Sequence, residues 1–198
     1  MIHPHTALKF VNEKIGNGVF ATEPIPMGTI TYALDALDFH FTRQDPRLSD
    51  PYCKDIILKY STRDQDGSYT MSWDIARYVN HCCHYNTLST GYGFEIAVRD
   101  IASGEEITDD YGIFNLETPM QLACHYPDCR IYAYPDDYDR MLEKWDADAR
   151  RALSQLFSVP QPLFPYIEPD TLDSARSYIM TGRGYRSVTE MRLLRKNQ

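Results

Sequence analysis

A chain of 198 residues is long enough for one domain with an appendage and too short for two independent cores, and 43% hydrophobic with 13% aromatic residues excludes wholesale disorder. The formal net charge of −8 argues against binding a phosphate backbone and suits a basic partner, although an acidic surface also serves solubility alone. No apolar run approaches the roughly 20 residues that cross a bilayer, and Met1-Ile2-His3-Pro4-His5 lacks the basic-then-apolar layout of a secretory signal. The expectation is a soluble intracellular protein, in cytoplasm or nucleus, without membrane or direct nucleic-acid partners and with secretion as an effector left open.

Predicted elements begin with β-prone runs at residues 8–11, 18–21 and 29–32, punctuated by Gly and Pro. Residues 43–53, rich in Pro, Asp and Ser, read as a variable insert. Runs at 56–61 and 68–73 flank Asp64-Gln65-Asp66-Gly67, whose Asp-Gly pair predicts a hairpin. Residues 93–98 read as a further strand and 100–104 as the turn after it. From Asp136 the pattern changes: Tyr138, Met141, Leu142, Trp145, Ala149, Ala152, Leu153 and Leu156 follow helical spacing, with Asp136 or Asp137 as N-cap. This stripe is expected to pack on the domain; its alternative use is a dimer contact, so an oligomer through the C-terminal helices stays open. Pro160, Pro162, Pro165 and Pro169 break the chain, and a shorter helix from Asp170 or Thr171 to Thr181 ends at Gly182. The closing segment, with Arg183, Arg186, Arg192, Arg195 and Lys196, either folds back on the acidic body or frays.

The densest chemistry lies in Arg77-Tyr78-Val79-Asn80-His81-Cys82-Cys83-His84-Tyr85-Asn86 and, further on, Gly104-Glu105-Glu106-Ile107-Thr108-Asp109-Asp110-Tyr111-Gly112. A third stretch, Lys14-Ile15-Gly16-Asn17-Gly18-Val19-Phe20-Ala21 followed by Ile25-Pro26-Met27-Gly28-Thr29, precedes both. In this order and at this spacing they resemble the signatures of the SET domain, the protein-lysine methyltransferase fold. The resemblance covers residues from roughly 8 to 115, with a weaker echo to about 131. It implies a mainly β fold of the SET β-clip type, with the Tyr111 segment threaded near the Asn-His strand in a knot-like arrangement. The division it suggests is a SET domain at 1–115, a post-SET-like segment at 116–134 and a C-terminal α-helical extension at 135–198.

The activity implied is methyl transfer from S-adenosylmethionine to the side-chain amine of a lysine in a protein, a histone being one candidate. By the same resemblance Gly16, Asn17, Gly18, Arg77, Asn80, His81 and Tyr111 bind the cofactor and Tyr111 is catalytic. Methyl transfer needs amine and methyl held in line, and glycines let backbone approach the cofactor. A tyrosine hydroxyl can orient the amine and the polarised methyl C–H groups without a carboxylate's full charge. The sulfonium favours the neutral amine by like-charge repulsion, so the lysine can lose its proton to solvent.

Three positions depart from the family pattern. Cys82 stands where Ser is usual, Tyr85 where Pro is usual, and Asp109 where Phe or Tyr is often found two residues before the catalytic tyrosine. That last position commonly limits how many methyl groups fit; a carboxylate there can tether a water or the ammonium, or can be an exposed turn residue. Five cysteines without dense spacing favour reduced thiols or metal ligation over disulfides. Cys124-His125-Tyr126-Pro127-Asp128-Cys129-Arg130 resembles the post-SET zinc segment, whose remaining thiolate comes from the Asn-His signature, here Cys83. Leu122 occupies the place of one cysteine, leaving Cys83, Cys124 and Cys129, with His125, His84 or Cys82 as candidates to complete a tetrahedral site. Two rivals remain: a catalytically silent SET module binding a basic peptide or protein partner, and a thiol or metal-binding regulatory protein resting on Cys82, Cys83, Cys124 and Cys129.

Overall fold

Short strands separated by turns dominate the first two thirds of the chain, because Gly and Pro recur before any β run grows long. The computed structural model describes residues 1–194, so Arg195 and Lys196 lie outside the described residues. In chain order the elements are β1 (Thr6–Asn12), β2 (Gly16–Ala21), β3 (Ile30–Ala33), β4 (Phe39–Phe41), α1 (Pro51–Tyr60), β5 (Thr62–Arg63) and β6 (Tyr69–Met71). There follow β7 (Asn80–His81), β8 (Thr87–Ser89), β9 (Phe94–Ala97), β10 (Glu106–Asp109), β11 (Met120–Gln121), β12 (Tyr132–Ala133), α2 (Asp137–Leu153) and α3 (Pro169–Thr181). They form three small sheets, ordered β1-β2-β10-β7, β3-β9-β8 and β4-β6-β5, and a β11-β12 hairpin.

The sheet that matters most is held together by β10. Glu106 and Ile107 pair antiparallel with Phe20 and Val19 of β2, while Thr108 and Asp109 pair in parallel with Asn80 and His81 of β7. The Tyr111 segment thus runs beside the Asn-His strand, the neighbourhood expected from the sequence. Val19, Ala21, Ile25, Ile101 and Ile107 fill a small apolar core beneath this sheet. The larger core joins β3, β8 and β9 to α2 and α3. The predicted stripe of α2 is spent there: Tyr138, Trp145, Ala149, Ala152 and Leu153 are buried, and so is Leu156 just beyond the helix. Burial of a large aromatic such as Trp145 contributes on the order of 3 kcal/mol. Asp136 occupies the N-cap position without a side-chain capping bond, and Asp137 instead accepts from Tyr134 N.

The expected hairpin needs correction. Residues 56–61 form no strand; α1 covers most of them, and the hairpin shrinks to β5 and β6 around the Asp64–Gly67 turn, with Gly67 at φ +81°. The Ile-Ile-Leu run suggests a strand, but Asp50 accepts from Tyr52 N and Cys53 N, Pro51 sits in the first turn, and only Ile57 is buried. Within the stretch read as a variable insert, 43–53, Asp45 caps a 3₁₀ turn at Pro46–Leu48 just as Asp50 caps α1. Up to Leu194 the basic closing segment folds back on the body. Val188 is buried, Arg186 pairs with Glu190 at 2.9 Å, and Arg192 pairs with Asp139 at 2.7 Å.

Candidate active site

Tyr111 follows β10 directly, at the start of a 3₁₀ turn capped by Asp110, whose side chain accepts from Gly112 N at 3.0 Å. The turn fixes where the ring points. Its hydroxyl donates to Val79 O at 2.8 Å and its backbone N–H to His81 Nδ1 at 3.1 Å. Burial pushes the hydroxyl well above its ordinary pKa, with Asp109 and then Glu106 adding to the effect, so Tyr111 is a neutral phenol. His81 is drawn down to about 4 by burial, against the nearby Asp110 charge and with Arg130 lowering it further. A neutral imidazole accepting at Nδ1 carries its proton on Nε2, which faces Cys83 Sγ at 3.4 Å.

Asn80 closes the same corner. Its amide donates to Asn17 O at 3.0 Å and to Glu106 Oε1 at 2.7 Å, joining β7 to β2 and β10. Gly18 is needed for this junction itself. A Cβ there would stand 2.3 Å from Glu106 Oε1 and 2.9 Å from Asn80 Nδ2, so a side chain would force the pair apart. Gly16, at φ +85°, meets nothing within 4 Å, and open space lies beside it. Asn17, Gly18, Asn80, His81 and Tyr111 are thus joined by contacts, with Gly16 at the start of the same strand as Asn17 and Gly18. Arg77 borders a large cavity and lies over Tyr78, 5.4 Å from the ring centroid.

That cavity has a volume of about 960 Å³ and is walled by α1, β5, β6, the residues after Tyr111, and the returning C-terminal segment at Glu190 and Met191. Tyr111 borders it too. Two ion pairs lie on its wall, Arg63 with Glu117 and Arg186 with Glu190, each at 2.9 Å. Ser89 and Glu95 line its wall beside Tyr32. Behind them lies Asp109, fully buried, which overturns its reading as an exposed turn residue.

Sequence reasoning left three residues without a role that the geometry supplies. Asn86, fully buried, donates to Glu106 O at 2.7 Å and accepts from Thr108 N at 2.9 Å, so it laces the Asn-His loop to β10. Asp110 is a hub. It accepts from Trp145 Nε1 at 3.1 Å and pairs with Arg130, tying the Tyr111 turn to α2 and to the cysteine segment. Glu95 is the third, and only its place in a strand was foreseeable.

The cysteine segment is a loop closed by β11 and β12, with Leu122 N donating to Ile131 O at 2.8 Å and the Leu122 side chain buried. It brings Cys124 and Cys129 to Cys83, all three sulfurs lying within 4.8 Å of one another. Thiolates on a tetrahedral zinc, with bonds of about 2.3 Å, lie about 3.8 Å apart. Cys83 Sγ and Cys129 Sγ are 3.7 Å apart, so the donor set fits such an ion. Burial pushes the Cys82 and Cys83 thiols up to about 12, whereas hydrogen bonds from Cys83 and Tyr126 amides outweigh burial and hold Cys124 below its usual value. Among the candidates for a further donor, His84 is bonded to Asp128 at 2.8 Å and His125 stacks on Tyr126. Cys82 Sγ is 3.9 Å from Cys124 Sγ but outside the three-thiol group.

A mainly β architecture with an Asn-His strand, a parallel neighbour leading to a half-buried tyrosine and a glycine strand paired with that neighbour defines a SET fold. The SET domain family model matches residues 16–112, so this stretch of the chain is a SET domain, a family whose members are generally protein-lysine methyltransferases. A curated relative, a variant-silencing SET domain-containing protein of Plasmodium falciparum (isolate 3D7), is 38% identical over 65 residues. That match covers 29% of this chain and 3% of the relative's length. Among solved structures, the methyltransferase domain of human histone-lysine N-methyltransferase SETMAR is similar at 17% identity and a TM-score of 0.43, over 67% of this chain and 58% of that one.

Proposed function

We propose that this protein transfers methyl groups from S-adenosylmethionine to the side-chain amine of lysine in a basic protein or peptide. The observation that carries the reading is the position of Tyr111. It borders the large cavity on one side and is hydrogen-bonded into the Asn80–His81 strand on the other. The bound cofactor would supply an electrophilic methyl group. Gly16 leaves open space at the start of β2, and Gly16, Asn17, Gly18, Asn80 and His81 would hold the cofactor. Arg77, bordering the cavity, is better placed to meet the protein substrate. The Tyr111 hydroxyl, neutral and anchored, orients the amine without trapping it as an ion pair. Zinc on Cys83, Cys124 and Cys129 would pin the loop after β11 over this corner, and Cys82 is the sulfur nearest to completing the set. The net charge of −8 favours a lysine-rich partner.

The test is transfer of labelled methyl from S-adenosylmethionine to a panel of histones and other basic proteins, comparing wild type with Tyr111→Phe. Loss of the hydroxyl should slow transfer by roughly a hundred-fold or more while the thermal midpoint stays put. Equal rates in the two proteins would remove Tyr111 from the chemistry. Cofactor uptake without transfer to any member of the panel would instead favour a silent peptide-binding module.

A further inference from the structure

The cavity wall beside Tyr111 carries charge that the fold leaves unanswered. Glu95 lies on β9, register-paired with Tyr32 of β3 and Ser89 of β8, and borders the cavity with both. Its Oε1 accepts from Ser89 Oγ at 3.5 Å, a weak bond, and Glu95 forms no salt bridge among the described residues. The Met1 ammonium attracts it, but that group is held by Asp35 at 2.8 Å. Behind Glu95 stands Asp109, with 0% of its surface exposed. Asp109 Oδ1 accepts from its neighbour Asp110 N, Oδ2 has no partner at hydrogen-bond distance although the Ser89 hydroxyl is near enough to ease the carboxyl, and Glu95 is the charge that acts on it most strongly. Tyr111 is within the field of Asp109 as well.

Two carboxyls, one of them wholly buried with an oxygen unpartnered, are costly to bury together unless a cation answers them. Burial raises both, Glu95 to about 7 and Asp109 well above the carboxylate range, so between them they hold protons that a cation can displace. Glu95 and Tyr111 both line the cavity, which is large enough to admit a long side chain.

We propose that Glu95, backed by Asp109, is the docking site for the ammonium of the acceptor side chain and the base that takes its proton. An N–H bond of the ammonium breaks, its electron pair stays on nitrogen, and the proton passes to a carboxylate oxygen of Glu95, leaving a neutral amine beside the Tyr111 hydroxyl. Asp109 is a positioning residue: it does not border the cavity, and it acts by keeping negative charge concentrated at Glu95. The amine needs no route to bulk solvent for its proton. The use of the neutral amine rests on the methyltransferase reading, but the cation site itself stands or falls on binding.

The probe is n-butylammonium, the lysine side chain cut at its base, compared with 1-butanol as an uncharged counterpart of similar shape. Both are titrated into the full chain by protein-observed NMR at neutral pH. Wild type should bind the ammonium at least about tenfold more tightly than the alcohol, with shifts centred on Tyr111 and Glu95. Glu95→Gln should abolish that preference while leaving alcohol affinity unchanged, and Asp109→Asn should reduce it. A purely structural role for either residue would weaken both probes together. Absence of a preference in wild type, a measurement needing no variant, overturns the proposal, as does a preference that survives Glu95→Gln. S-adenosylmethionine is titrated into the same samples. Ammonium preference without cofactor uptake keeps the cation site and sinks the methyltransferase reading; uptake without ammonium preference sinks the cation site alone.

Discussion

The two sides of Tyr111 are built differently. On one, Gly16 to Gly18, Asn80, His81 and Glu106 form a corner of short strands whose polar side chains mostly bond backbone or one another. On the other, the cavity is assembled from the α1–β6 insert, β9, the segment after Tyr111 and the C-terminal return, and Glu95 on its wall has only a weak partner. The first side is a preorganised frame, with its polar groups satisfied; the second keeps charge in reserve. A frame suits a partner that is always the same, and reserve charge suits a side chain that must be recognised and deprotonated.

The change with the largest expected effect breaks the hub that serves both sides. Asp110→Ala would leave Arg130 with Asp137 alone, at 3.4 Å, strand the Trp145 indole N–H and release the Tyr111 turn, at a cost of about 3 kcal/mol. Urea unfolding measures it; a loss below about 1 kcal/mol would mean that the hub is incidental.

Next comes the thiol cluster, which sharpens the comparison from the frame side. Purified reduced protein should carry about one zinc per chain by elemental analysis, and Cys124→Ser should release it together with cofactor affinity. Metal-free protein from chelator-free preparations would rule the ion out and leave buried Leu122 to anchor the loop.

A smaller, pH-dependent effect probes the reserve charge. Glu95 is raised from 4.5 to about 7, so the folded state binds its proton more tightly than the unfolded chain. Its contribution to stability is fully present below about 4.5 and is lost as pH rises through about 7. His3 and His81, both lowered to about 4 with burial as the main cause, act with the opposite sign between about 4 and 6.5. The difference between wild type and Glu95→Gln isolates the carboxyl: wild type should lose stability relative to the variant between pH 5 and pH 8. A constant difference across that range would place Glu95 in water.

The same contrast explains how much was readable in the sequence. The frame is encoded in contiguous signatures, so Gly16, Gly18, Asn80, His81 and Tyr111 were nameable before any coordinates, as was the stripe of α2. Asp50-Pro51, inside the stretch read as a variable insert, is the start of a helix, and the Ile-Ile-Leu run suggests a strand at 56–61 although α1 buries only Ile57. Glu95 escaped notice because its meaning depends on Asp109 and Tyr32, which are brought to it by strand pairing across long sequence separations. Arg77 was drawn to the cofactor by its place in the signature, while the 3₁₀ turn at Ile75–Tyr78 sets it against the cavity.

Equilibrium binding of S-adenosylmethionine by calorimetry tests most directly whether the frame side is the cofactor side. Asn80→Ala, which removes the amide joining Asn17 to Glu106, should weaken binding at least about tenfold, whereas Glu95→Gln should leave it within about twofold of wild type. Equal affinity in wild type and Asn80→Ala, or a loss as large in Glu95→Gln, would contradict the division of labour across Tyr111.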